Sequence, residues 1–252
     1  MQAPPPHNGA TRDRSGAQDK RSQRRPRAGL AKLTSIQHQL ALENEKLLRH
    51  PFFELCRTEA IGRDRLLGIV TQMYGFSVLF ERLLTRRIAE SSSGTDEKVL
   101  RVARQHLREE FGHPDLFREC LRLNGLSDDE LRLASPNTFL RALFGYLLAT
   151  IQYDNEYVGN VAIMQVMETI GFHVFGATLG LMQKYDMVST ALKQHTEDDE
   201  SHSQMGLELI PSFDDRTMSA SERVIKDIYH LMSFVLDDFV TLGKQRHPEG
   251  RA

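Results

Sequence analysis

The chain has 252 residues, of which 40% are hydrophobic and 26% are charged. This length and composition predict one soluble domain with a full hydrophobic core. Two cysteines, Cys56 and Cys120, are too few for a disulfide-rich fold or for an iron–sulfur cluster held by the chain alone. The sequence shows no secretory signal segment and no apolar run of membrane length, so we expect a cytoplasmic protein.

The net charge of −2 is unevenly distributed along the chain. Residues 1–30 carry seven Lys and Arg against Asp13 and Asp19, a net charge of +5, and the remainder carries −7. The same segment contains Pro4–Pro6 and hardly any apolar residue. We therefore predict a disordered, basic, Pro-rich tail over 1–30 and one all-α domain over 31–252. No aromatic residue is interleaved with the basic ones, so we expect no nucleic-acid partner, and we expect no membrane partner.

Beyond the tail, the apolar residues recur with helical spacing and no segment alternates as a strand would. A turn is expected at 50–51, and Asn124 with Gly125 ends one helical piece. Ser221 is expected to cap the last helix. The result is an all-α bundle of about seven helices. We predict the longer helices, in chain order, over about residues 35–48, 63–90, 95–112, 136–153, 156–184, 188–211 and 221–240.

One predicted helix carries polar residues where its buried face should continue. In alternating steps of four and three from Val188 to Leu209, the middle positions are His195, Asp199 and His202. At about 100° per residue these three side chains point the same way. Burying them costs on the order of several kcal/mol without a compensating partner, and a metal ion is the expected partner. A solvated polar face is the alternative, because further acidic residues lie in the same run.

Two other helices show the same change in chemistry. The buried stripe of the 95–112 segment ends in Glu110 and His113, three residues apart. That spacing lets two side chains on one helical turn reach one ion. Glu109 is the alternative to Glu110, about 100° away around the helix. The buried face of the predicted 156–184 helix carries Glu168 at a position where an aliphatic residue is expected. Three further histidines have no partner at metal-ligand spacing and are expected either to be structural or to contact the ligands from outside: His50, His106 and His173.

Together the stripes offer three carboxylates and three imidazoles, more than one tetrahedral zinc ion would use. Such a set favours two ions of borderline hardness, as in the carboxylate-bridged di-iron or di-manganese centres of helical proteins. We predict no catalytic residue beyond the metal ligands and no organic cofactor site. The candidate ligands are Glu110, His113, Glu168, His195, Asp199 and His202.

The segment around His113 is expected to depart from a regular helix. Gly112 precedes the histidine and Pro114 follows it. Proline disfavours helical geometry at the preceding residue and removes a helical hydrogen bond. We therefore expect the segment that supplies Glu110 and His113 to be the least rigid part of the site.

Several of these residues carry a resemblance to a known family. The residues His50-Pro51-Phe52, followed by Gln72-Met-Tyr74-Gly-Phe76, resemble the opening of the heme-oxygenase-like fold shared by the thiaminase-II and pyrroloquinoline-quinone-synthase groups. The resemblance covers about residues 45–240. Three motifs are similar, in order and separation, to the metal motifs of the heme-oxygenase-like di-iron oxidases: Glu109-Glu-Phe-Gly-His113-Pro, Glu168-Thr-Ile-Gly and His195-x-x-x-Asp199-x-x-His202.

The resemblance implies a heme-oxygenase-like bundle and places the six candidate ligands on that family's ligand positions. It further implies two iron ions, cycling between Fe2+ and Fe3+, and O2 as co-substrate, reacting through a peroxide-bridged diferric pair. Reactions of that family include oxidative decarboxylation of fatty acids, fragmentation or desaturation of amino acids, and N-oxygenation. No cysteine follows the thiaminase pattern, which argues against hydrolysis of thiamin fragments. A core with six metal ligands leaves no room for heme.

We therefore predict an O2-dependent non-heme di-iron oxidase or oxygenase acting on a small carboxylate-bearing substrate, an amino acid or a fatty acid. Two Fe(II) ions and three carboxylates leave a net charge of about +1, which favours an anionic substrate group. The alternatives are an enzyme of the same fold that works without the metals, or a metal-binding or partner-binding protein without turnover. A homodimer and an external reductant are further expected partners.

Overall fold

The computed structural model describes residues 15–91, 94–188 and 202–242, with side chains from residue 28 onward. Within these ranges the chain is helical and contains no strand. A π-helix covers Val161–Met167, and a 3-10 helix covers Leu207–Ser212. The α-helices are α1 (Ser15–Leu48), α2 (Pro51–Arg57), α3 (Arg63–Ala89), α4 (Glu97–Glu110), α5 (His113–Leu123), α6 (Asp128–Leu133), α7 (Thr138–Tyr153), α8 (Glu156–Asn160), α9 (Glu168–Lys184) and α10 (Asp215–Thr241).

The predicted all-α class is confirmed, and the central helices have nearly the predicted bounds. The helix predicted over 63–90 is α3, and the one predicted over 156–184 is the continuous run from α8 to α9. Apolar periodicity predicts these helices well because the same residues form the core contacts. Apolar residues at helical spacing on α3 are all buried: Leu66, Val70, Met73, Phe80 and Leu84.

The first helix is longer than predicted, since α1 begins at Ser15 rather than near residue 35. Residues 15–30 of the predicted tail are therefore helical, and residues 1–14 lie outside the described part of the chain. Lys, Arg, Gln and Ala are all good helix formers, so a charged composition with few apolar residues does not by itself exclude a helix. The end of this stretch also packs, because a Cβ added at Gly29 would lie 2.9 Å from Cβ of Pro211.

The last helix also begins earlier than predicted, and Ser221 is not its cap. The N-cap of α10 is Asp214, whose carboxylate accepts a hydrogen bond from the backbone N–H of Thr217 at 2.7 Å. Aspartate caps helices as well as serine does, and Ser221 is fully buried inside the helix. The apolar face of α10 is buried in the core, and its members are Ile225, Ile228, Met232, Val235 and Phe239.

Most of the predicted His-Asp-His helix, including His195 and Asp199, lies outside the described residues. Where the description resumes, His202 is followed by a turn that ends at Gly206. Gly206 has φ +81°, a left-handed conformation that stops an α-helix, and Leu209 lies in the 3-10 helix. The predicted continuous stripe to Leu209 is therefore wrong at its C-terminal end.

The run from α8 to α9 is the central helix of the bundle. α10 packs against this run at α8 and the π-helix, and also against α1, α2 and α7, while α3 packs against α4, α5 and α7. Contrary to the expectation from sequence, Glu156–Lys184 is long and apolar enough to cross a membrane by length and composition alone. However, 61% of its most apolar window is buried inside the structure, as in the core helix of a soluble protein.

Candidate metal centre

Four buried side chains from three parts of the chain converge inside the bundle. His106 and Glu110 come from α4, Glu168 begins α9, and His202 precedes the turn that leads to the 3-10 helix. Each residue presents one nitrogen or oxygen atom, and these four atoms lie within 4.8 Å of one another. We call these four residues the His-Glu cluster. Two imidazoles and two carboxylates at this separation could hold a metal ion.

Contacts within the His-Glu cluster are short. Nε2 of His106 lies 2.8 Å from Oε1 of Glu168, and Nδ1 of His202 lies 2.9 Å from Oε1 of Glu110. The His106 contact lacks the alignment of a hydrogen bond, and Nδ1 of the same ring has no hydrogen-bond partner among the described residues. An unsatisfied buried polar atom costs about 1–3 kcal/mol, so hydrogen bonding alone does not explain why an imidazole is buried here. The donor set fits a metal ion better.

The sequence places His106 outside the ligand set because it has no obvious partner at metal-ligand spacing, and that premise is wrong. Glu110 follows His106 by four residues, so both side chains lie on the same face of α4. The ring is fully buried, with its edge against Phe80 at a centroid distance of 6.1 Å. The four-residue spacing was visible in the sequence, but the approach of Glu168 from another helix was not.

His113 is brought back to the His-Glu cluster by a break between two helices. α4 ends at Glu110, and Phe111 and Gly112 connect it to α5. Gly112 has φ +92°, which glycine adopts at little cost. Its backbone N–H donates to Oε2 of Glu81 at 3.1 Å, which ties the break to α3. As a result, Nδ1 of His113 lies 2.6 Å from Oε2 of Glu110.

The irregular geometry predicted near His113 is present, but its cause differs from the one expected. Pro114 lies in the first turn of α5, where a backbone N–H has no partner within the helix. The proline therefore suits the first turn of α5 and does not disturb His113, which is the first residue of that helix. The break comes from Gly112.

Of the two adjacent glutamates, Glu110 is the one that points into the bundle. Its side chain is 10% exposed, whereas that of Glu109 is 39% exposed. Glu109 still lies near the site, with Oε2 at 3.3 Å from Nε2 of His202. Glu109 thus forms part of the rim and Glu110 part of the His-Glu cluster.

Glu168 is positioned by the π-helix that precedes it. All seven residues of Val161–Met167 are buried, and Glu168 follows at the point where regular α-helix resumes. Nε2 of Gln165 donates to the backbone oxygen of Met205 at 2.6 Å. This bond ties the π-helix, which precedes Glu168, to the turn that follows His202. It therefore connects the two segments that carry these members of the His-Glu cluster. π-helical turns are frequent at functional sites.

The charges of the metal-free site are set by its own members. Burial by itself would raise the pKa of Glu110, but hydrogen bonds from His113 and His202, together with the charges of His113 and His106, hold it well below its usual range. Burial would lower the pKa of His202, yet the carboxylates of Glu110 and Glu168 raise it to about 10. At neutral pH the metal-free site therefore contains ionised Glu110 beside protonated His202. A metal ion bound by His202 has to displace that proton.

The structure thus brings together four of the six residues predicted as ligands: Glu110, His113, Glu168 and His202. The other two, His195 and Asp199, lie outside the described residues. His50 and His173 do not belong to the His-Glu cluster. His50 caps α2 by accepting a hydrogen bond from the backbone N–H of Phe52, and His173 bonds to the Asn44 amide at 2.8 Å.

An apolar cavity of about 90 Å³ adjoins the His-Glu cluster. Glu110, His113 and Glu168 line one end of it, and the remaining wall comes mainly from apolar residues of α3, α5, α7, α9 and α10. A bound molecule would therefore meet the metal ligands at one end and hydrocarbon surface elsewhere.

Solved structures with the same architecture support the predicted fold. A domain of unknown function with a heme oxygenase-like fold from Shewanella denitrificans matches with a TM-score of 0.69 at 16% identity, over 87% of this chain and 98% of that one. A TenA homolog from Pseudomonas syringae pv. tomato also matches with a TM-score of 0.69, at 13% identity over 83% and 92%. A TenA homologue from P. horikoshii matches at 0.61 and 12% identity, over 84% and 99%.

No protein-family model matches the sequence, and no curated protein matches it either. Identities of 12–16% carry the fold alone. The chain is therefore an all-α protein of the heme-oxygenase-like fold, as the sequence predicted, with a buried His-Glu cluster that could hold a metal ion.

Proposed function

We propose that the protein is an O2-dependent non-heme di-iron oxidase or oxygenase that acts on a small carboxylate-bearing substrate. The observation that supports this function is the His-Glu cluster, which is buried beside an apolar cavity. Mixed imidazole and carboxylate ligands suit iron, whereas all-oxygen sites suit magnesium or calcium and thiolate-rich sites suit structural zinc. We further propose a cytoplasmic location.

The ligands divide into two groups around Glu110. Oε1 of Glu110 faces His202 at 2.9 Å and Oε2 faces His113 at 2.6 Å, so its two oxygens serve different imidazoles. We infer that Glu110 would serve both groups of ligands when metal is bound. His106, Glu168 and His202 would complete one iron site, and His113 would join the other with His195 and Asp199 from the sequence motif.

When bound, the iron pair supplies O2 binding and the electrons for its reduction. The chain's own residues prepare the site for that chemistry. Glu110 is held ionised, which suits a ligand for a cation, and His202 gives up its proton as metal binds. The surrounding apolar wall limits access of water to the reacting groups. The remaining electrons come from the substrate or from an external reductant.

Anaerobic Fe(II) titration followed by O2 pulses tests this function. We expect two irons per chain, and O2 uptake that accelerates only when a suitable carboxylate is present. Glu110→Gln should lower iron content and abolish uptake, and Glu97→Gln, at the exposed start of the same helix, is the matched control that should retain both. Turnover by metal-free protein would favour acid–base catalysis instead. Iron binding with O2 uptake but without an organic product would favour a metal-binding protein, and either result would contradict the proposal.

A further inference from the structure

We propose that the substrate has an apolar body no larger than one aromatic ring, which occupies the cavity beside the His-Glu cluster while its polar group points at the cluster. That this molecule is a substrate rests on the proposed function. The cavity itself is formed by described residues, and binding in it is tested separately from catalysis. Three properties of the cavity carry this inference, namely where its polar groups lie, what its walls are made of, and how large it is.

Polar groups are confined to one end of the cavity. Apart from the residues that reach the His-Glu cluster, Ser77 is the one polar side chain among the described lining residues. Its hydroxyl already donates to the backbone oxygen of Tyr74 at 2.8 Å. Neither Lys nor Arg is among those lining residues. A charged substrate group can therefore find a partner only at the cluster end, because burying it against the apolar wall would leave it unpaired.

Aromatic side chains form much of the wall. Phe76 and Phe80 of α3 stack with ring centroids 5.7 Å apart, and Phe117 of α5 lies 5.3 Å from Phe175 of α9. Aromatic rings interact best with other rings in offset or edge-to-face arrangements. A polar group at the end of an amino-acid side chain would find no hydrogen-bond partner on this surface. The wall thus favours a ring over a polar chain.

The size of the cavity sets an upper limit on the substrate body. Its volume is about 90 Å³. In another protein, an engineered apolar cavity of about 150 Å³ takes up one benzene molecule. The smaller volume here therefore admits one ring at most, and a long alkyl chain such as that of decanoate would extend beyond the cavity.

Gly171 of α9 offers a direct way to fill this space. Gly171 lines the cavity, and a Cβ added there would have Phe175 as its nearest neighbour at 3.9 Å, an ordinary contact. Gly171→Ala should therefore fold normally, and Gly171→Leu should place its longer side chain in the cavity. Gly176, on the same helix, is exposed, and a Cβ added there meets nothing within 4 Å. Gly176→Ala is the matched control for the effect of replacing a helical glycine.

Calorimetric titration of Zn(II)-loaded protein, which binds without turnover, tests the proposal with phenylacetate, decanoate and alanine as probes. We expect phenylacetate to bind at least about tenfold more tightly than the other two. Gly171→Leu should weaken phenylacetate binding by about tenfold or more, Gly171→Ala should weaken it less, and Gly176→Ala should leave it unchanged. Because no iron or O2 is present, failure of the oxidase function would not affect this result. Equal or tighter binding of decanoate or alanine, or an unchanged affinity in Gly171→Leu, would overturn the proposal.

Discussion

The substitution His106→Leu tests whether His106 is a metal ligand or a structural histidine. The two roles predict different changes in the stability of the metal-free and the metal-bound protein. The ring is fully buried, and its Nδ1 has no hydrogen-bond partner among the described residues. Leucine introduces no polar atom, so the substitution removes an unsatisfied group worth about 1–3 kcal/mol. It also removes the 2.8 Å contact with Glu168, which is not aligned as a hydrogen bond and so contributes at most the about 1.5–3 kcal/mol of an aligned bond to a charged group. The two effects oppose each other, and metal-free stability should fall by no more than about 2 kcal/mol.

The loss should instead appear when metal is present. Metal at about 1,000 times its Kd stabilises the folded protein by about 4.1 kcal/mol, which for a chain of this size raises Tm by about 8–16 °C. If loss of one ligand weakens binding by about 100-fold, the same metal concentration stabilises by only about 1.4 kcal/mol. The metal-induced rise in Tm should then fall to about 3–6 °C.

Differential scanning calorimetry under anaerobic conditions, with Fe(II) or with a chelator, measures both quantities. His230→Leu is the control, because His230 is exposed on α10 and lies outside the His-Glu cluster. A structural role for His106 predicts the opposite result, namely a loss of several kcal/mol in the metal-free protein and an unchanged rise in Tm with metal. That outcome would refute the assignment of His106 to the metal site.

Three further predictions concern the same site. His202→Ala should lower iron content to about one ion or fewer per chain while the circular-dichroism spectrum stays helical, and full double occupancy would contradict the ligand role. Because the pKa of His202 is raised to about 10, its proton stabilises the metal-free protein fully below the ordinary pKa of about 6.5, and this stabilisation is lost as pH rises through about 10. Metal must displace that proton, so Fe(II) affinity measured between about pH 6 and 9 should increase with pH, and a flat profile would count against it. Glu81→Ala should weaken Fe(II) binding by about tenfold without changing the ligands, because the N–H of Gly112 loses its partner, whereas the exposed Arg82→Ala should not.

The sequence predicted those parts of the fold that depend on local periodicity. The buried faces of α3 and α10 repeat every three to four residues, and each face is encoded by the residues that pack. Helix starts were less predictable because several residue types can accept the hydrogen bonds of the free backbone N–H groups at a helix N-terminus. Asp214 caps α10 in place of Ser221, and the charged stretch before residue 31 is compatible with both a solvated tail and the start of α1.

The site was predicted only in part, for a related reason. The sequence identified Glu110, His113 and Glu168 because each is a polar residue at a position where the apolar face of a single helix should continue. His106 belongs to the same stripe, but its role depends on Glu168, which lies 62 positions further along the chain and approaches to 2.8 Å in the folded protein. A spacing rule within one helix cannot predict a contact between residues of two different helices.

Two departures from regular α-helix explain how the ligands reach one another. In an uninterrupted helix, Glu110 and His113 would be separated by about 4.5 Å of rise and about 60° of rotation. The left-handed Gly112 starts a new helix at His113 and brings its Nδ1 to 2.6 Å from Glu110. On the other side of the site, the π-helix precedes Glu168 and is tied through Gln165 to the turn after His202. Both irregularities directly precede a candidate ligand, Gly112 before His113 and the π-helix before Glu168, which is the pattern expected when local geometry is set by a functional site and the surrounding core supplies the stability.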